Sequence, residues 1–328
     1  MRWKFVASLL LLTTTVSAQI VDTDFEGAAV GVARSQAGGK PLRFTPIAND
    51  GNEHWYFRIT GLTPHQPLTL TTPVTENTPT RASVSFDAGQ SWELTSPGHI
   101  INGDMTYAIQ PRQASLLFAS QPPLTLSMVE GIMEQLAKNN RGIEINRVGP
   151  PKFEVPLLRF CEGDRVEARR IGVIIRGDRK PVASWSAIGL SQWLASASPD
   201  AVWLRQNAEV LVIPTMHPAR PEVSMHAISA IKASILQEDR HHLLIELSQA
   251  SPTATNIHIQ SPEQNPHPYL HNLLTHSLSS VIPVQQSPID KSTSWQIDIP
   301  WNHAAGTIST YQKIGAAIAE SIALTLQR

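Results

Sequence analysis

Five polar residues, Arg176, His217, Glu246, Ser248 and Asp298, stand at or close behind apolar runs that read as strands. The runs are RRIGVIIRG, AEVLVIPTM, HLLIELSQ and WQIDIPW. Open α/β sheets hold ligands outside the carboxyl ends of their strands, so the five residues are expected to gather in one cleft. A guanidinium, an imidazole, two carboxylates and a hydroxyl can bind a charged or hydrogen-bonding ligand. The plainer reading is a collapsed, ion-paired pocket. Ser248 has no G-x-S-x-G turn around it, and no oxyanion hole is evident, so a serine nucleophile is not expected.

Histidines crowd the chain after residue 216: His217, His226, His241, His242, His258, His267, His271, His276 and His303. His267 and His271 are spaced i, i+4 and can face one way on a helix, as a relocated metal site would need. Pro266 and Pro268 interrupt the start of that helix, and surface or loop histidine is the simpler account. His241 and His242 precede a strand and project to opposite sides, which makes them a poor chelate. Cys161 is the only cysteine; it lies in the polar stretch FCEGDR with no base nearby and reads as an incidental thiol.

The elements that must position these residues fall into two groups. From Ile20 to about Ala119 the pattern is all-β. FRITGL, LTLTTPV, ASVSFD and SLLFAS alternate apolar and polar residues, and Asn49–Asn52 and Asp87–Gly89 carry turn signals. Short strands at that spacing suggest a small β-sandwich. Leu126 to Lys138 then reads as a helix, with Met128, Val129, Ile132, Met133 and Leu136 on one face and Ser127 and Glu130 as a capping box. From Gly142 onward strands and helices alternate. Helices are expected over Pro181–Ala195 (amphipathic), Ser224–Gln237, Leu270–Ser279 and Ser309–Leu326. That alternation predicts an α/β domain with a largely parallel or mixed sheet. Trp185, Trp193 and Trp203 are expected in the core, and Trp55 and Trp92 inside the sandwich or against the second domain.

Composition narrows the function classes. The net charge of −1 implies no polyanion partner, and no basic patch with interleaved aromatics argues for nucleic acid. Arg2 and Lys4, the apolar run Phe5–Leu12 and the small residues Val16-Ser17-Ala18 have the pattern of a secretory signal peptide. The apolar run is shorter than the roughly 20 residues that span a bilayer. The mature protein is therefore expected to be secreted or periplasmic, with no membrane segment after signal removal.

Several motifs together resemble the zinc carboxypeptidases of the M14 type, and among them the cytosolic carboxypeptidases. The stretch IGVIIRGDRKPVASWSAIGLSQWL resembles that family's first catalytic segment, a strand and a loop R-x-H-x-G-E-x-x-A-S-W before a helix. Phe25-Glu26-Gly27 and His54-Trp55-Tyr56-Phe57-Arg58-Ile59 resemble the opening of its N-terminal β-sandwich. Val84-Ser85-Phe86-Asp87 with Gln90-Ser91-Trp92 is similar to its S-x-D-G-x-x-W hairpin, and Phe118–Leu136 to the segment and helix that follow. The aromatic pair of that segment is replaced here by Pro123 and Leu124.

With the signal peptide read at 1–18, the resemblance implies an N-terminal β-sandwich domain over 19–122 and a mixed-sheet carboxypeptidase-like α/β domain over 123–328. It also implies where metal ligands would be. Counting back from Ala183-Ser184-Trp185, Gly177 takes the His position and Lys180 the Glu position. Ser248 takes the third ligand's place in the strand of form D-[IL]-H-x-H. Glycine has no ligand atom, a lysine cation repels zinc, and neutral serine binds it poorly. The loop Ile213–Arg220 keeps Pro214 and Pro218, but His217 and Ala219 replace the family's Asn and Asp. The resemblance makes Asp298 the candidate counterpart of the family's general-base Glu. The expectation is a catalytically inactive pseudopeptidase with no cofactor, binding a peptide or cell-wall fragment. The alternative is an active zinc-dependent carboxypeptidase with relocated or misaligned ligands.

Overall fold

In the computed structural model the described residues are 19–34, 41–49, 52–140, 142–149, 154–162, 172–176, 180–215, 242–250, 254–262, 267–286, 294–301 and 307–328. The expected leader, Gly177, His217, His226, His241, His303 and the helix expected over Ser224–Gln237 lie outside them.

The first part is built from short strands. In chain order these are β1 (Ile20–Asp22), β2 (Val32–Arg34), β3 (Leu42–Thr45), β4 (Ile47–Asn49), β5 (Asn52–His54) and β6 (Tyr56–Thr60). They continue as β7 (Leu68–Pro73), β8 (Ser83–Ser85), β9 (Glu93–Leu94), β10 (His99–Ile101), β11 (Asp104–Ile109) and β12 (Ser115–Ala119). One five-stranded sheet runs β1-β6-β12-β8-β9 and a second runs β10-β11-β7-β3-β2, with β4 and β5 paired by themselves. The period-2 patterns put one face of each sheet inward, as in β7, where Leu68, Leu70 and Thr72 are buried and their neighbours are not. Phe44, Trp55, Phe57, Tyr107 and Phe118 meet between the sheets, with ring centroids 5.2–6.4 Å apart. The β10–β11 hairpin turns on Asn102 and Gly103, both at positive φ (52° and 84°), the backbone a tight two-residue turn requires.

The second part holds β13 (Ile143–Val148), β14 (Val155–Phe160), β15 (Gly172–Arg176), β16 (Glu209–Ile213), β17 (His242–Gln249), β18 (Ile257–Gln260), β19 (Val284–Gln286) and β20 (Trp295–Ile299). They form one eight-stranded mixed sheet, β13-β14-β16-β15-β17-β20-β18-β19. The four central strands are parallel to one another, and antiparallel pairings flank them at β14–β16 and β18–β20. The helices are α1 (Leu126–Asn139), α2 (Pro181–Leu194), α3 (Pro199–Asn207), α4 (Pro268–Ser279) and α5 (Ile308–Leu326). Their apolar side chains and one face of the sheet make the main core, including Leu243, Ile245, Leu247, Trp295 and Ile297.

Two local expectations need correction. The cap of α1 is Thr125, whose hydroxyl accepts from the Met128 amide, and Ser127 falls inside the first turn. Nor is α2 amphipathic: every residue from Val182 to Ser191 is buried. Its polar residues tolerate this because Ser186 and Ser191 donate to the carbonyls of Val182 and Ala187, each at 2.9 Å. Gly189 lies against the Gln312 backbone of α5, and Gly315 of α5 lies against the Ser186 carbonyl, so neither position has room for a Cβ. The short helix α3 had no clear periodic signature and is defined by Ser198 ahead of Pro199 at its first position.

Candidate functional site

The site is assembled by register. Arg176 pairs with Ile213 of β16 on one side and with Glu246 of β17 on the other. Glu246 in turn pairs with Gln296 of β20, and Ser248 with Asp298. Across the next strand, Asp298 pairs with His258 and Gln296 with Gln260 of β18. Side chains alternate along a strand, so cross-strand partners share a face. Leu243, Ile245, Leu247, Ile297 and Ile259 point into the helical core. Glu246, Ser248, Gln296, Asp298, His258 and Gln260 therefore form a half-buried polar strip on the opposite face. Toward β14 and β16 that face turns apolar, with Val155, Leu157, Leu211, Ile213 and Leu244 clustered.

Asp298 is the centre of the strip. Its Oδ1 accepts the Ser248 hydroxyl and, at 3.0 Å, the Gln296 side-chain amide. Four of the five residues singled out from sequence have described backbones, and register brings Arg176, Glu246, Ser248 and Asp298 to neighbouring strands; His217 lies outside the described residues. Gln296, His258 and Gln260 were not singled out as members of this strip. The alternation in WQIDI and IHIQ marks them as lying on a polar face, but the order of strands that joins those faces is not written in either segment.

Lys180 is the N-cap residue of α2, with extended backbone (φ −82°, ψ 137°) and no side-chain capping bond. A cation there faces the positive end of the helix dipole, where acidic residues are favoured. Pro181 at the first helical position supplies the start that the cap does not. Trp185, one turn on, donates from Nε1 to the Pro122 carbonyl at 3.2 Å and ties α2 to the segment after β12.

The Phe25-Glu26-Gly27 motif meets the second part at the same junction. The Phe25 ring meets Tyr56 edge-on at 5.0 Å, with the Arg58 guanidinium 4.9 Å above it. The Glu26 carboxylate accepts from the Ser127 amide at 3.2 Å and from its hydroxyl, placing negative charge at the α1 N-terminus. Gly27 takes φ +78° against Thr125. Nearby, His54 Nδ1 and Ser120 Oγ are 3.0 Å apart, and burial lowers the His54 pKa to about 4.

Among the described residues no three His, Cys, Asp or Glu side chains come together as metal ligands. His271 sits in α4, and His267 is the residue that precedes its first turn.

No family model matches the sequence. No curated protein matches it either. Solved structures do match the fold. The metallo-carboxypeptidase from Burkholderia cenocepacia superposes with TM-score 0.74 at 13% identity, covering 94% of this chain and 99% of that one. The metallo-carboxypeptidase from Pseudomonas aeruginosa, in complex with (2-guanidinoethylmercapto)succinic acid, gives 0.75 at 14% identity with the same coverage. A carboxypeptidase A-like structure from Shewanella denitrificans gives 0.75 at 13% identity, covering 94% and 99%. The fold is carboxypeptidase-like over nearly the whole chain, β-rich part included.

Proposed function

We propose that this chain, with its metallo-carboxypeptidase fold, is an M14-like secreted or periplasmic pseudopeptidase that binds a peptide or cell-wall fragment. The ligand lies against the carboxyl ends of β15, β17 and β20. The observation that carries this reading is the state of Ser248 and Asp298. The hydroxyl at the expected ligand position is spent as a donor to the expected general base. The carboxylate is held as an acceptor by that hydroxyl and by the Gln296 amide, and Ser248 beside it offers no thiolate, imidazole or carboxylate to a metal.

The donor set does not fit zinc. Zinc takes thiolate, imidazole or carboxylate ligands in a compact tetrahedral group. Here the sequence places Gly177, Lys180 and Ser248 at the three ligand positions. Lys180 caps α2 without any carboxylate to offer. A binding role remains supported by the polar strip, whose acids, amides and imidazole match the amides and charges of a peptide.

The test is metal content together with ligand binding. The mature protein is incubated with zinc, gel-filtered and subjected to elemental analysis. Calorimetric titration follows with short peptides, muropeptides and (2-guanidinoethylmercapto)succinic acid. The reading predicts no retained zinc and saturable binding of a peptide or cell-wall fragment that weakens in Asp298→Asn. About one tightly held zinc per chain, with peptide hydrolysis, would overturn it in favour of an active carboxypeptidase with relocated ligands.

A further inference from the structure

We infer that a water-sized hydrogen-bonding guest occupies a buried polar niche between α4 and the start of β20. Helix α4 presents Leu270, Leu274 and Leu278, all fully buried, to the main core. His271 and Thr275 each follow one of these leucines and, spaced i, i+4, share a face. The His271 ring lies 6.0 Å from the Trp295 ring, with 34° between their planes. His271 Nδ1, Thr275 Oγ1 and Trp295 Nε1 are all buried and, among the described residues, without a hydrogen-bond partner. Native structures leave few such groups unsatisfied, and buried ones are commonly met by an internal water with about three hydrogen bonds.

The chemistry of the three atoms selects the guest. The Trp295 indole N–H can only donate, so the guest must accept, which excludes a metal cation. The Thr275 hydroxyl donates or accepts, and His271 Nδ1 does either according to tautomer. Water accepts from Trp295 and can donate to both of the others. An anion would require all three to donate. Trp295 pairs with Ile245 at the start of β20, while Asp298 lies toward its other end. The niche is thus separate from the cleft, and its test does not depend on the function proposed for the cleft.

Thr275→Val removes the hydroxyl with little change of shape. The proposal predicts that this variant shows about one long-lived internal water fewer than the native protein by oxygen-17 relaxation dispersion. Its denaturation midpoint falls, while Thr275→Ser stays close to native. An unchanged water count overturns the proposal, whatever the midpoint does. If Thr275→Val does not fold, the same count on Trp295→Phe decides, with the same two outcomes. A native midpoint that rises with chloride, but not with a larger anion at equal ionic strength, also overturns it and points to a bound halide.

Discussion

Ser248 and Asp298 are register partners on adjacent parallel strands, and the hydroxyl of the first donates to the carboxylate of the second. The Gln296 amide reaches the same oxygen from two residues away on β20. The pair is held by three features at once: strand register, a side-chain bond and a second donor.

Restoring ligating side chains should convert this arrangement into a metal site. The triple variant Gly177→His, Lys180→Glu, Ser248→His is expected to retain about one zinc per chain after gel filtration, where the native protein retains far less. Elemental analysis checks this. A triple variant that folds and still loses its zinc would show that the three positions do not converge.

Acid should weaken the fold through His54. Its folded pKa of about 4 lies below the ordinary histidine value near 6.5, because burial disfavours the cation. Above pH 6.5 both folded and unfolded chains carry it neutral, and its contribution is fully present. As pH falls from about 6.5 to about 4, the unfolded chain binds the proton first and stability is lost. The side chain keeps some solvent contact, so the loss is put at roughly 2 kcal/mol. Denaturant titrations across that range should show a flatter profile in His54→Gln.

The crossing of α2 and α5 should not tolerate a methyl group. A Cβ at Gly189 would meet the Gln312 backbone, and one at Gly315 the Ser186 carbonyl and the Leu190 amide. Backbone cannot rotate away as a side chain can. Gly315→Ala and Gly189→Ala are each expected to cost at least about 3 kcal/mol, or to prevent folding. Gly131→Ala is the control: it lies in α1, and its Cβ would meet nothing. Alanine there should be neutral or slightly stabilising.

Arg205 offers a fourth test. It is 4% exposed, and its guanidinium reaches the Glu162 carboxylate at 2.7 Å, the Ser196 carbonyl at 3.0 Å and the Leu194 carbonyl. It thereby joins α3, the end of α2 and the residues after β14. Arg205→Ala should cost on the order of 3–5 kcal/mol, because a partly buried carboxylate and two carbonyls lose their donor. Arg205→Lys should recover only part of that, since one ammonium cannot span the three acceptors. Chemical denaturation of both variants checks the order.

Much of the fold can be read from local pattern. The alternation in LTLTTP appears as alternate burial along β7, and the helix starts expected at Pro181 and Ser309 and the end expected at Lys138 lie within a residue of those found. What resisted reading was long-range. Nothing in α2 announces that a second glycine-bearing helix crosses it, so its serines suggested a solvent face that does not exist. Ser127 looked like a cap because hydroxyl spacing is all a sequence offers; the chain conformation at Thr125 decides otherwise. In the site, Glu246, Ser248 and Asp298 could be found as polar residues in apolar strands. The sheet order that sets His258 and Gln260 beside them depends on β18 pairing antiparallel to β20, which no segment encodes alone.

The interlocked glycines of α2 and α5 also bear on how the chain reaches its native state. Every residue that seals this side of α2 from Ile308 onward is synthesised long after α2 itself. Until then a helix with scarcely a polar side chain beyond a few serines has one flank open. Contacts so distant in sequence are slow to form, because loop-closure entropy must be overcome first. The nascent protein is therefore expected to carry an adhesive surface from the completion of α2 until α5 emerges and covers it.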